Sequence, residues 1–105
     1  MQTITIADAG NRIALNAGES FDVVLAGNPT TGYQWEVAES DASIVKQADK
    51  AKFEPSSTAI GAGGHFTFRF TAVGAGQTPL QLVYRRPFEK GTPPVQTFEI
   101  RVVVK

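Results

Sequence analysis

His65-Phe66-Thr67-Phe68-Arg69-Phe70-Thr71 places a phenyl ring at every second position and a polar side chain between the rings. Successive side chains of an extended chain leave on opposite faces, so the three rings share one face and His65, Thr67, Arg69 and Thr71 the other. The same period runs outward from here in both directions. Upstream, Phe21, Val23 and Leu25 alternate with Asp22, Val24 and Ala26, and Tyr33, Trp35 and Val37 alternate with Gln34, Glu36 and Ala38. Thr3 to Ile6 and Arg12 to Leu15 are shorter extensions, separated by the turn cluster Asp8-Ala9-Gly10-Asn11. Downstream, Leu80, Leu82 and Tyr84 form one strand, and Phe98, Ile100, Val102 and Val104 a long final one. Ile44 to Phe53 carries Lys46, Asp49, Lys50 and Lys52 and reads as a solvated edge strand, with a helical turn as the other reading of its centre.

Seven or eight strands with turn signals between them and no convincing helix indicate an all-β, immunoglobulin-like β-sandwich. Trp35 suits the buried tryptophan of such sandwiches, here without a disulfide because the chain has no cysteine. At 105 residues the chain is expected to be one domain, 1–105, burying roughly 60–70% of its unfolded surface.

Composition removes several function classes. Without cysteine there is no zinc–thiolate site and no thiol nucleophile. Ten Lys and Arg balance ten Asp and Glu, and no basic run exceeds two residues, so no nucleic-acid partner is expected. No apolar run approaches the ~18 residues of a membrane span, and no membrane partner is expected. Residues 1–20 lack the pattern of a signal peptide, which implies a cytoplasmic protein or an exported one whose leader is gone. His65 is the sole histidine, no Gly-X-Ser-X-Gly elbow is present, and Gly61-Ala62-Gly63-Gly64 lacks the Gly-Lys-Ser/Thr end of a phosphate loop. No enzyme, metal site or cofactor is therefore expected.

Binding remains, and the loops carry it. Gly27-Asn28-Pro29-Thr30-Thr31-Gly32-Tyr33 is stiff by composition: Pro29 fixes its own φ and restrains Asn28, the threonines are β-branched, and Gly32 is free to take a positive φ. A stiff loop loses little entropy on binding, although an ordinary turn has the same composition. If the strands run up and down in order, every second connection falls at the same end. Those connections are 27–33, 54–64 and 85–94, the three with unusual chemistry, whereas Ser40–Ser43 and Val73–Gln77 look like plain turns. Three such loops at one tip make a composite binding edge. Phe88, carried by Arg86-Pro87-Phe88, is its candidate aromatic anchor.

Asn28-Pro29-Thr30-Thr31-Gly32-Tyr33 with Trp35, the Gly61-Ala62-Gly63-Gly64 loop and Arg86-Pro87-Phe88, in this order and spacing, resemble the chagasin family of cysteine-peptidase inhibitors. The resemblance implies an immunoglobulin-like fold and reversible, non-covalent, competitive inhibition of papain-like cysteine peptidases by a monomer. It implies further that Asn28, Pro29, Thr30, Thr31, Gly32 and Tyr33 enter the enzyme's cleft, Thr30 and Thr31 nearest its catalytic cysteine and histidine. Gly61, Gly63 and Gly64 would then flank one side and Arg86, Pro87 and Phe88 the other. The family usually has Trp where this chain has Phe88, so an indole donor and some contact area are missing. An immunoglobulin-like ligand- or carbohydrate-binding or adhesive module using the same edge is the alternative.

Overall fold

The computed structural model describes residues 2–55, 63–89 and 91–105. Nine strands are present among them: β1 (Gln2–Thr5), β2 (Arg12–Leu15), β3 (Ser20–Gly27), β4 (Gln34–Glu39), β5 (Val45–Gln47), β6 (Lys52–Pro55), β7 (Gly64–Ala72), β8 (Gly76–Arg85) and β9 (Gln96–Val104). Two short 3₁₀ turns, Ile6–Asp8 and Pro29–Thr31, are the helical elements among the described residues. One sheet has the order β1-β3-β7-β5, with β6 also paired to β7, and the other the order β2-β9-β8-β4.

The alternating strands lie where the sequence pattern puts them. Phe21, Val23 and Leu25 from β3 meet Phe66, Phe68 and Phe70 from β7, and across from them sit Leu80, Leu82, Phe98, Ile100 and Val102 of the second sheet. Phe21 and Phe70 are direct cross-strand partners with ring centroids 5.4 Å apart. Side-chain pairs of this kind are what stabilises a sheet, and one face here is closed by the other sheet.

Two expectations need correction. The single edge strand over Ile44 to Phe53 is two strands, β5 and β6, which raises the count to nine. Both pair with β7, but the four residues 48–51 span only two residues of β7 and bend away, the charged pair Asp49-Lys50 among them. An interrupted, charged edge is a poor template for further strand pairing. The helical alternative for this segment is not adopted. Ile6, counted as the end of the first strand, lies in a 3₁₀ turn and is 53% exposed.

The strand directions settle where the loops go. β3 ends at Gly27 opposite Gly64, the first residue of β7, and Pro55 at the end of β6 also lies opposite Gly64. In the second sheet Gln34 at the start of β4 pairs with Arg85 at the end of β8, and Tyr84 with Gln96 at the start of β9. Contacts between the sheets join these two ends into one pole. The Trp35 indole Nε1–H donates to the Ala26 carbonyl at 3.0 Å, and the Asn28 N–H donates to the Tyr84 hydroxyl at 2.8 Å. The plain turns lie at the other pole, where the Asp41 N–H donates to Thr78 Oγ1 and the Gly74 N–H to the Ile44 carbonyl.

Candidate functional site

The loop between β3 and β4 is built on Asn28. Its Oδ1 accepts from the Thr30 N–H at 3.1 Å and from Thr30 Oγ1 at 2.6 Å. Its carbonyl accepts from Thr31 Oγ1 at 2.8 Å and from the Thr31 N–H at 3.3 Å. Asparagine ahead of a helical turn satisfies the turn's orphan donors in this way, and the following proline keeps Asn28 itself out of the helical region. The result is a Pro29–Thr31 turn in which both threonine hydroxyls donate inward. Only their lone pairs remain for a partner, so these two hydroxyls serve outward as acceptors. Thr30 and Thr31 are exposed, and Gly32 leaves the turn at φ +85°.

A second turn stands beside the first. Arg86-Pro87-Phe88-Glu89 is closed by the Glu89 N–H donating to the Arg86 carbonyl at 3.0 Å, with proline at the position where a fixed φ suits a β-turn. Phe88 is 71% exposed on this turn and is the most exposed of the large apolar side chains among the described residues. It also backs onto the first loop: a Cβ added to Gly32 would lie 3.2 Å from the Phe88 ring. Arg86 connects the two turns. Its Nε–H donates to the Thr31 carbonyl at 3.1 Å, its Nη1 to Glu89 Oε1 at 3.0 Å, and its guanidinium lies 4.6 Å from the centre of the Tyr33 ring. The Glu89 hydrogen bond is the main cause of an Arg86 pKa raised above its ordinary value, with the Tyr33 phenol adding to it. Tyr33 in turn stacks on Tyr84 at 5.3 Å.

Gly63 and Gly64 come to the same pole. Gly63 lies against the Gly27 carbonyl, which a Cβ on Gly63 would approach to 3.3 Å. Gly64 differs from its expected role: it is buried, and a Cβ there would collide with the Glu54 carbonyl and Pro55 of β6. Its missing side chain is required by strand packing, and it faces chain rather than solvent. Gly61 lies outside the described residues. Arg85, next to Arg86 in the chain, has a different partner in Glu36. Its Nε is 3.1 Å from Glu36 Oε1, near enough for an ion pair but not aligned as a hydrogen bond.

Two residues that matter at this pole escaped the sequence reading. Tyr84 appeared only as a core strand residue, yet its hydroxyl receives the Asn28 amide; a near-buried tyrosine next to a loop signals this, because its O–H needs a partner. Glu89 carried no signal except its place three residues after Arg86.

Residues 14–102, which span both sheets and all three loops, match the family described as Chagasin family peptidase inhibitor I42. The chain belongs to the chagasin family of peptidase inhibitors. Among relatives, chagasin of Trypanosoma cruzi is 33% identical over 89 residues, covering 81% of each chain. Amoebiasin-1 of Entamoeba histolytica is 29% identical over 103 residues, 98% of this chain and 99% of its own. The crystal structure of a cysteine protease inhibitor from Entamoeba histolytica superimposes with a TM-score of 0.86 over 99% of this chain and 95% of that one, at 23% identity. That likeness shows the chagasin-family fold. Membership makes the protein an inhibitor rather than an enzyme, and it displaces the ligand-binding or adhesive alternative.

Proposed function

We propose that this protein is a reversible, non-covalent, competitive inhibitor of papain-like cysteine peptidases, with the whole of 1–105 serving as one monomeric inhibitor domain. The Asn28–Gly32 turn is the wedge that fills the cleft. Phe88 and Pro87 flank it on one side, and Gly61 and Gly63 are the residues proposed for the other. The observation that carries this reading is the link between the two turns, the Arg86 Nε–H on the Thr31 carbonyl, which sets an exposed threonine tip and an exposed aromatic side by side.

The chemistry of the tip suits that target. A papain-like site holds a thiolate beside an imidazolium, and the imidazolium is a donor. Threonine oxygens whose protons are engaged on Asn28 are acceptors aimed outward. The tip also makes a poor substrate. Attack needs a carbonyl presented in line with the thiolate. Here the Asn28 carbonyl is held by Thr31 and the Thr31 carbonyl by Arg86, within a curled rather than an extended segment. The chain offers no electrophile, so no covalent bond to the enzyme is expected. Flanking contacts extend the wedge toward the ~1,600 Å² typical of protease–inhibitor pairs.

Titrating papain with the purified protein against a fluorogenic peptide tests the reading. The expected outcome is complete inhibition, relieved by raising the substrate concentration and recovered on dilution. Full papain activity at micromolar protein discards it.

A further inference from the structure

Arg86 holds three partners at once, and only one of them, Glu89, is charged. We infer that Glu89 is a positioning residue, which with Arg86 locks the Phe88 turn to the Thr30–Thr31 turn so that both enter the cleft as one rigid surface. The inference rests on the inhibitor reading above and deepens it. Arg86, which the sequence suggests as a peptidase contact, becomes an internal strut. Three observations place it there. Its Nε–H and one Nη1–H donate within the chain, and the guanidinium plane covers Tyr33. Tyr33 is itself backed by Tyr84, whose hydroxyl accepts from the Asn28 N–H, so the strut ends on the base of the same loop it braces. Glu89 reaches Arg86 from the far end of a four-residue turn that its own N–H closes, so the turn delivers the carboxylate without further ordering.

The physical need is clear from what happens without Glu89. A guanidinium at the mouth of a cleft that is about to close loses water on binding, and an unpaired charge resists that loss. With Glu89 in place the charge is balanced inside the inhibitor. The planar fork of arginine then holds two acceptors and a ring face, which a lysine ammonium does not reproduce. Two loops fixed before encounter lose less entropy on association, and the gain appears mainly as slow dissociation.

The test compares Arg86→Lys, Glu89→Ala and Glu89→Gln with the unaltered protein. Binding to papain is followed in real time at low and high salt, and the Arg86 Nε–H resonance is recorded by NMR in the free proteins. The expected result is a protected Arg86 Nε–H signal in the unaltered protein that collapses toward the solvent-exchanged position in Glu89→Ala. Dissociation should quicken about tenfold in Arg86→Lys and in Glu89→Ala and by less, about threefold, in Glu89→Gln, whose amide oxygen still accepts but leaves the Arg86 charge unbalanced, with association unchanged in all three. Phe88→Ala should also cost less in the Glu89→Ala background than alone, since a misplaced ring has less to lose. Unchanged dissociation in Arg86→Lys and Glu89→Ala overturns the inference. So does a loss confined to association and erased by salt, which would make Arg86 a direct contact with an enzyme carboxylate. If the unaltered protein leaves papain active, the inhibitor reading fails, whereas the lock itself still stands or falls on the NMR signal.

Discussion

Gly32 joins backbone conformation to the shape of the binding edge at a single atom. Its φ of +85° is a region that L side chains avoid, and the missing Cβ leaves room for the Phe88 ring. Replacing it with valine adds backbone strain of about 1–3 kcal/mol and pushes on Phe88. The turn is exposed and contributes little to the core, so the fold should survive while the wedge is displaced. Gly32→Val is expected to keep its circular dichroism spectrum and lose at least about tenfold in papain affinity, a loss worth about 1.4 kcal/mol. Unfolding of that variant would assign Gly32 to the fold, and undiminished inhibition would remove the turn from the interface. A positive φ at this glycine is readable from a Pro-Thr-Thr-Gly string, since only glycine accepts it without cost. Two partners of Arg86 are not readable, because Thr31 lies 55 positions away and Tyr33 is held in a tyrosine stack that no local pattern encodes.

Strands that fill both sides of the interior were legible as strands, and the reason is specific to them. Each of β3, β7, β8 and β9 buries alternate residues without interruption, so its pattern survives in one dimension. The edge segment 45–55 has only Val45 buried and Phe53 half-buried, which leaves no period to read and hides the break between β5 and β6. Likewise nothing in the sequence announces that Thr78 is the buried polar residue of β8. It is 2% exposed, accepts from the Asp41 N–H at 3.0 Å and donates to the Pro79 carbonyl at 2.9 Å. This one hydroxyl ties the connection after β4 to β8 at the pole away from the wedge. Thr78→Val keeps the shape and removes both hydrogen bonds, leaving the Asp41 amide without this acceptor, and should cost about 1–3 kcal/mol. Urea unfolding should show that loss with an unchanged slope, and papain inhibition should be unaffected. A Thr78→Val protein of full stability would mean that water replaces the hydroxyl. A weakened inhibitor would mean that the two poles are coupled through the sheets.

At the scale of the whole molecule, up-and-down strand order makes one pole of the sandwich different from the other, and charge is arranged differently from what an electrostatically steered inhibitor needs. The chain carries ten basic and ten acidic residues, and no charged residue lies between Gly27 and Gln34. Among the described residues, the cations nearest the wedge are paired within the chain, Arg86 with Glu89 at 3.0 Å and Arg85 with Glu36 at 3.1 Å. Paired, partly exposed charges project little field beyond a Debye length of about 8–10 Å at physiological salt. Encounter with the peptidase should therefore proceed without steering, at roughly 10⁵–10⁶ M⁻¹s⁻¹, and the affinity should come from a preformed surface that leaves slowly. The expected outcome is an association rate that changes by less than about twofold between 50 and 500 mM salt, with dissociation equally insensitive. Stopped-flow association with papain across that range checks it. A rate falling by an order of magnitude would show that the charges at this pole act on the enzyme, and that the internal pairing of Arg85 and Arg86 does not persist in the encounter.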